Sequence, residues 1–174
     1  MTTLPRVDPE VAAKTFRIHL DQYWAARQLA EEGWEREELD PLHVVVTIPA
    51  VHESGRIDPY YVRLGAEYYD VYPPTVLFVQ PVEGWPRARA GTGWWPRLDR
   101  PSWLGFHDNY RYADGSFNQL VCFSMTAEYY MTNHKPTPTQ RWTQGRHTVA
   151  ATLSRLREVL RPPYYKEPDY ARNS

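Results

Sequence analysis

Three apolar segments joined by short turns constrain the fold of this chain more than any other feature of its sequence. The segments are His43–Pro49 (HVVVTIP), Tyr60–Tyr69 (YYVRLGAEYY) and Thr75–Gln80 (TVLFVQ). They are rich in β-branched and aromatic residues, which are typical of strands. Their connections, Glu53–Arg56 (ESGR) and Asp70–Pro74 (DVYPP), consist largely of turn residues. Short strands separated by short turns predict an antiparallel meander of three strands.

A helix is predicted on the N-terminal side of the meander, from Asp8 to about Glu32. Asp8 is a suitable N-cap, Pro9 is a suitable first helical residue, and Gly33 is a natural stop. Apolar residues recur along this stretch with rough helical spacing: Val11, Phe16, Leu20, Tyr23, Trp24 and Leu29. The pattern indicates an amphipathic helix that packs against a core.

A second helix is predicted from about Arg146 to Arg161, where Pro162-Pro163 ends it. Its apolar residues lie on one helical face: Val149, Leu153, Leu156 and Leu160. A run of strands with helices on either side of it in the chain favours an α+β fold, in which the helices pack against one antiparallel sheet.

The stretch Pro81–Phe106 shows no sustained periodicity and predicts a long irregular connection. It concentrates proline and glycine and contains four of the seven tryptophans: Trp85, Trp94, Trp95 and Trp103. Loops longer than about 12–15 residues are usually functional or disordered, and aromatic residues are scarce in disordered chains. The stretch is therefore either a loop held by tryptophan packing or a partner surface. The polar tail Tyr164–Ser174 is expected to fray.

The composition narrows the class of protein. A chain of 174 residues is expected to form one domain, residues 1–174. The net charge of −1 predicts neither nucleic-acid nor membrane binding, although arginines interleave with the tryptophans of 81–106. No apolar run approaches the ~20 residues of a membrane span, and the first residues do not form a secretory signal, so a cytoplasmic location is expected. The only cysteine, Cys122, excludes an intrachain disulfide.

Four motifs, in order along the chain, resemble those of the ubiquitin-conjugating enzyme family. Tyr68–Phe78 (YYDVYPPTVLF) is similar to the family's Tyr-Pro turn and third strand. His107-Asp108-Asn109 is similar to its His-Pro-Asn tripeptide, with Asp in place of Pro. Ala113–Phe117 (ADGSF) is similar to the turn that follows, and Arg141-Trp142-Thr143 to the segment before the last helix. The resemblance covers most of residues 8–165.

This resemblance implies a ubiquitin-conjugating-type fold and a transferase activity that needs no cofactor. It implies that Cys122 receives the C-terminus of a ubiquitin-like modifier as a thioester from an activating enzyme. The acyl group would then pass to an amine of a target protein. By the same resemblance, Asn109 stabilises the oxyanion and His107 holds the loop. The arginine-rich composition is compatible with a bacterial conjugation system.

The position of the cysteine departs from the family pattern. The family's nucleophile follows soon after the Asp-Gly-Ser turn, where this chain has Phe117-Asn118. Cys122 lies four residues beyond Asn118, and Ser124–Gln140 is interpreted as an insertion before Trp142. Two interpretations follow: the nucleophile has moved along the chain, or the fold has lost catalysis and binds a modifier or a partner enzyme.

The residues that follow Cys122 decide what its thiol can do. Within the apolar run Leu120–Met125 (LVCFSM), a free cysteine can simply be a buried apolar residue. Glu128, His134 and His147 come next in the chain and carry groups that activate a thiol or serve as a general base. The same residue types also ligate zinc, so a zinc site with Cys122, or a metal-dependent hydrolase built on the other three, remains an alternative.

Overall fold

A computed structural model of the chain describes residues 3–80, 94–111, 117–132 and 134–169; for residues 108, 109, 117 and 118 it describes the backbone alone. The fold is mixed α+β. The helices are α1 (Pro9–Arg27), α2 (Ala127–Met131) and α3 (Val149–Val159), and a 3-10 turn, Leu29–Glu32, follows α1. The strands are β1 (Glu35–Asp40), β2 (His43–Val51), β3 (Ile57–Gly65), β4 (Thr75–Val79), β5 (Pro96–Leu98), β6 (Gly105–Arg111), β7 (Phe117–Cys122) and β8 (Tyr165–Pro168).

The main sheet is an antiparallel meander in the order β1-β2-β3-β4. The three predicted strands are confirmed as β2, β3 and β4, with β3 starting and ending earlier than predicted. The sheet also contains β1, which the sequence did not predict because its residues, EREELD, are almost all charged. Two of those charges pair with α1, as Arg17 contacts Glu38 and Arg36 contacts Asp21, both at 2.6 Å.

Both predicted helices are confirmed, and they pack over the buried apolar residues of the sheet. The Asp8 carboxylate accepts the backbone N–H groups of Glu10 and Val11, which is N-cap geometry. Gly33 ends the 3-10 turn with φ 80°, in the left-handed region that suits glycine. In α3 the side chain of Thr148 is the N-cap, so this helix starts slightly later than predicted.

Tyr69 joins the two helices to the loop before β4. Its ring is fully buried, and its hydroxyl lies 2.7 Å from His19 Nδ1 and accepts the backbone N–H of Val149 at 2.9 Å. The ring also packs edge-on against Trp142, whose indole N–H donates to the Asp70 carbonyl. One side chain thus fixes the position of α1, the start of α3 and the segment before α3.

Regular structure extends into two regions that were predicted to be irregular. Of the stretch 81–106, residues 81–93 lie outside the described residues, whereas Pro96–Leu98 forms β5 and Gly105 begins β6. The tail prediction is wrong for Tyr165–Pro168, which pairs with β5 because the Tyr165 ring is buried against Tyr60. Within the described residues, no helix has the length and apolar composition of a membrane span.

Two side chains close the outer edge of β4. The Gln119 amide, on β7, accepts from Phe78 N–H at 2.8 Å and donates to the Phe78 carbonyl. The Glu128 carboxyl, on α2, accepts from Val76 N–H at 3.0 Å. These backbone groups would otherwise be buried without partners. The contacts connect the sheet to β7 and α2, which carry the candidate site.

We predict that Tyr69→Phe lowers the free energy of unfolding by about 1–3 kcal/mol, because the buried Val149 N–H loses its acceptor. Urea denaturation followed by far-UV circular dichroism measures the change. Tyr164→Phe is the matched control, since Tyr164 is only half-buried. Equal stability of the Tyr69 and Tyr164 variants would contradict the role assigned to the Tyr69 hydroxyl.

Candidate functional site

Cys122 lies in the wall of a cleft of about 390 Å3 between the β6–β7 pair and the segment that contains α2. The cleft is lined by Ser102, Trp103, Leu104, Gly105, His107, Cys122, Ser124, Tyr129, His134 and Gln140. Cys122 is the last residue of β7 and pairs with Gly105 on β6. A Cβ atom at Gly105 would lie 3.3 Å from Cys122 Cβ, so the glycine leaves room beside the thiol.

The thiol of Cys122 is buried but has two polar neighbours. The residue is 3% exposed, and its Sγ lies 3.6 Å from Thr132 Oγ1 and 3.8 Å from His134 Nδ1. Burial raises the pKa of the Cys122 thiol, while the contact with Thr132 opposes that rise. At neutral pH the resting cysteine is therefore a thiol, and any nucleophilic reaction requires a group that stabilises its thiolate.

His134 is held beside Cys122 by two contacts. Its Nδ1 lies 2.8 Å from Thr132 Oγ1. Its ring stacks on Tyr129, with the centroids 4.6 Å apart and the planes at 24°. Because α2 is short and ends at Met131, the chain turns immediately and brings Thr132 and His134 back toward the end of β7. The structure thus brings the predicted cysteine and one predicted histidine together.

Glu128 lies on the sheet side of α2, and it is not among the cleft-lining residues. Its side chain is buried, and Oε1 accepts the Val76 N–H. Burial raises the pKa of Glu128 to about 8, and nearby Glu67 adds to this. The carboxyl is therefore largely protonated at neutral pH. Its observed contact is structural, whereas a general base on an incoming amine would have to reach the cleft.

His147 is also placed outside the cleft, just before α3. Its Nδ1 accepts the Thr143 N–H at 2.9 Å, and its ring lies 5.8 Å from that of Trp142. Burial lowers the pKa of His147, with a smaller contribution from Arg146. In the part of the chain that the structure describes, no group of three His, Cys, Asp or Glu side chains is arranged to hold a metal ion.

The predicted tripeptide lies on β6 beside the cleft. His107 is exposed and lines both this cleft and an adjoining cavity of about 430 Å3. Its ring packs against Tyr110 at 6.0 Å. The side chains of Asp108 and Asn109 lie outside the described residues, so the oxyanion role of Asn109 stays a prediction.

Sequence reasoning missed Thr132 and Tyr129 as site residues. Neither belongs to a recognisable motif, and both act through His134 rather than by chemistry of their own. The one available signal was spacing: a threonine lies two residues before His134 in the chain. Among the predicted tryptophans, Trp103 lines the cleft and stacks under the Arg155 guanidinium, Trp95 is buried in the core, and Trp85 lies outside the described residues.

No protein-family model, no curated protein and no solved structure matches this chain. The resemblance to ubiquitin-conjugating enzymes rests on the motifs named above.

We predict that Glu128→Gln weakens the pH dependence of stability. Because the folded pKa of Glu128, about 8, exceeds its ordinary value of 4.5, the folded state retains a proton that the unfolded state releases. The free energy of unfolding therefore falls as the pH rises from 4.5 to about 8, by up to about 1.4 kcal/mol per pH unit. The glutamine keeps the acceptor for Val76 N–H but cannot ionise.

The free energy of unfolding of both proteins, measured in urea at about pH 5, 7 and 9, tests this prediction. The pKa of His43 is raised chiefly by its hydrogen bond to Glu67. His43 therefore also lowers the free energy of unfolding as the pH rises, and it does so in both proteins. Arg63, whose charge lowers the pKa of Glu128 slightly, is present in both proteins. Glu53→Gln, at an exposed turn, is the control. Parallel pH profiles for wild type and the Glu128 variant would contradict the prediction.

Proposed function

We propose that this protein is a thiol-dependent acyl transferase of the ubiquitin-conjugating type, with Cys122 as the acyl carrier. The observation that carries the proposal is the contact of Cys122 Sγ with His134 Nδ1, 3.8 Å apart, at the wall of an open cleft. A cysteine beside an imidazole is the usual arrangement of an activated thiol. Elsewhere in a core, a cysteine needs no such neighbour.

The order of elements is compatible with this proposal. An N-terminal helix, an antiparallel meander, a cysteine-bearing segment and a final helix follow one another as the motif resemblance implies. The Tyr-Pro motif leads into β4, and Trp142 anchors the segment before α3 through its hydrogen bond to Asp70. His107 and the backbone of Asn109 lie on the strand that pairs with β7.

The proposed reaction consists of two acyl transfers. In the first, the Cys122 thiol loses its proton to solvent and Sγ attacks the carbonyl carbon of a donor thioester; a new C–S bond forms, the donor C–S bond breaks, and the donor sulfur leaves as a thiolate. In the second, an amine nitrogen attacks the Cys122 thioester, a C–N bond forms, Cys122 leaves as a thiolate, and the amine loses a proton to solvent. His134 stabilises the Cys122 thiolate in both steps.

The dimensions of the cleft restrict the acyl group. About 390 Å3 holds a short, slender terminus such as Gly-Gly and excludes a folded modifier. The body of a ubiquitin-like modifier would therefore lie outside, with only its C-terminal tail beside Cys122. His107 lines both the cleft and the adjoining cavity.

A non-catalytic variant of the same fold, which docks a modifier or partner enzyme, is the second candidate. The burial of Cys122, 3% exposed with a raised thiol pKa, favours it. The two candidates differ in one measurable property. A carrier thiol reacts with an acyl donor in the native protein, whereas a buried packing thiol reacts only after unfolding.

We predict that the native protein exchanges with a peptide thioester ending in Gly-Gly. Intact-mass spectrometry would detect one peptide adduct, which a reducing thiol removes. Cys122→Ala should form none, and His134→Gln should form it at least about tenfold more slowly, because glutamine cannot carry the positive charge with which an imidazolium stabilises the thiolate. His147→Gln is the matched control and should react at the wild-type rate, because His147 does not line the cleft.

The opposite results favour the binding module. No adduct on the native protein, together with rapid reaction of Cys122 in urea, identifies the thiol as buried packing. An adduct that persists in Cys122→Ala also overturns the carrier role. Equal rates for the His134 and His147 variants would leave the carrier in place but remove His134 from the mechanism.

A further inference from the structure

We propose that Thr132 is a positioning residue that fixes neutral His134 in the form protonated at Nδ1, so that the ring nitrogen beside the sulfur of Cys122 carries a proton and cannot accept one from the thiol. The inference rests on the proposed function, since it assigns a role within the same site. It concerns which imidazole nitrogen faces the thiol and therefore what His134 can do for it.

The position of the Thr132 hydroxyl proton determines the form of His134. Thr132 Oγ1 lies 2.9 Å from the Glu128 carbonyl oxygen and 3.2 Å from that of Tyr129. Carbonyl oxygens only accept hydrogen bonds, so the proton of a hydroxyl this close to two of them points toward them. The hydroxyl has no second proton, and its lone pairs remain for other partners.

His134 Nδ1 therefore has to supply the proton of the remaining short contact. It lies 2.8 Å from Thr132 Oγ1. If the hydroxyl instead donated to Nδ1, its 2.9 Å contact with the Glu128 carbonyl would join two oxygens with no proton between them. Only the form with N–H at Nδ1 satisfies both contacts, and the tautomer of a histidine is set by such partners. Stacking on Tyr129 holds the ring in this orientation.

This form changes the chemical role of His134. With a proton on Nδ1, the nitrogen 3.8 Å from Sγ cannot accept the thiol proton. When the thiolate forms, this N–H is shared between Thr132 Oγ1 and Sγ, which lie 2.8 Å and 3.8 Å from Nδ1, and the thiol proton leaves to solvent in the cleft. Protonation of Nε2 would add a positive charge beside the sulfur. Thr132 thus makes His134 a stabiliser of the thiolate rather than a base acting directly on the thiol.

Nitrogen-15 NMR of the full chain tests the inference directly. In wild type at alkaline pH, His134 should show a protonated Nδ1 and an unprotonated Nε2. Thr132→Val, which keeps the shape but has no oxygen, should shift His134 toward the Nε2-protonated form that free histidine favours. Thr132→Ser, which keeps the hydroxyl, should show the wild-type pattern. His147 in the same spectra serves as the internal reference.

The rate of Cys122 alkylation by iodoacetamide as a function of pH provides the second measurement. Thr132→Val should move the profile to higher pH and slow alkylation at neutral pH by roughly tenfold, because the donor to the thiolate is no longer aligned. Thr132→Ser should return to the wild-type profile. Retention of the native circular dichroism spectrum separates this effect from misfolding.

Each result has a defined meaning. Protonation at Nε2 in wild type, or an unchanged tautomer in Thr132→Val, overturns the inference even if the peptide thioester reacts with Cys122. A confirmed tautomer combined with no acyl transfer supports the role of Thr132 and overturns the proposed function instead. The failure of one is therefore distinguishable from the failure of the other.

Discussion

The closure of the outer edge of β4 by two side chains is the constraint on which the rest of this structure depends. A four-stranded meander ends in a strand whose outward backbone groups need partners. Here Gln119 pairs with Phe78 as a neighbouring strand would, and Glu128 accepts from Val76. Because these contacts are buried, losing either would leave unsatisfied polar groups in a low-dielectric environment. Sheet, β7 and α2 therefore have one favourable relative placement.

That placement in turn defines the candidate site. Gln119 and Cys122 share β7, and Glu128 lies in α2 one helical turn before Thr132, the residue that follows the helix. Gln119 and Glu128 are held against β4, and this fixes the positions of Cys122 and Thr132, whose side chains meet beside the cleft. The same carboxyl that looked like a catalytic base in the sequence is thus used to position the thiol's neighbours. Chemistry at Cys122 depends on packing at the sheet edge.

The sequence predicts the elements whose signals are local. Asp8 and Pro9 mark the start of α1, and the apolar spacing of α3 needs no tertiary information. Strand β1 was missed because its stability comes from pairing with β2 and from ion pairs to α1, not from apolar residues of its own. The residues around Tyr165 are polar and predict a tail, because the burial of Tyr165 depends on Tyr60, which is far away in the chain.

The candidate site was predictable only in part, for the same reason. Cys122 and His134 could be proposed from residue type, but nothing in their spacing separated His134 from His147. His134 lies beside Cys122 because of the direction of the chain after α2. His147 lies elsewhere because it belongs to the Thr143–His147 turn, in which its Nδ1 accepts the Thr143 N–H. Glu128 has a structural contact because its side chain is buried, and burial is a property of the folded chain that the sequence does not give. Thr132 has no chemistry that draws attention to it until its contacts are known.

Gly105 gives this site an unusual vulnerability. It faces Cys122 across the β6–β7 pair, and a side chain there would meet Cys122 Cβ at 3.3 Å, the Cys122 carbonyl at 3.4 Å and His107 Nε2 at 3.5 Å. A single added methyl at this position would press on the Cys122 β-carbon and carbonyl and on a cleft histidine at the same time. The wall of the cleft beside Cys122 is therefore kept open by the absence of a side chain at one position of β6.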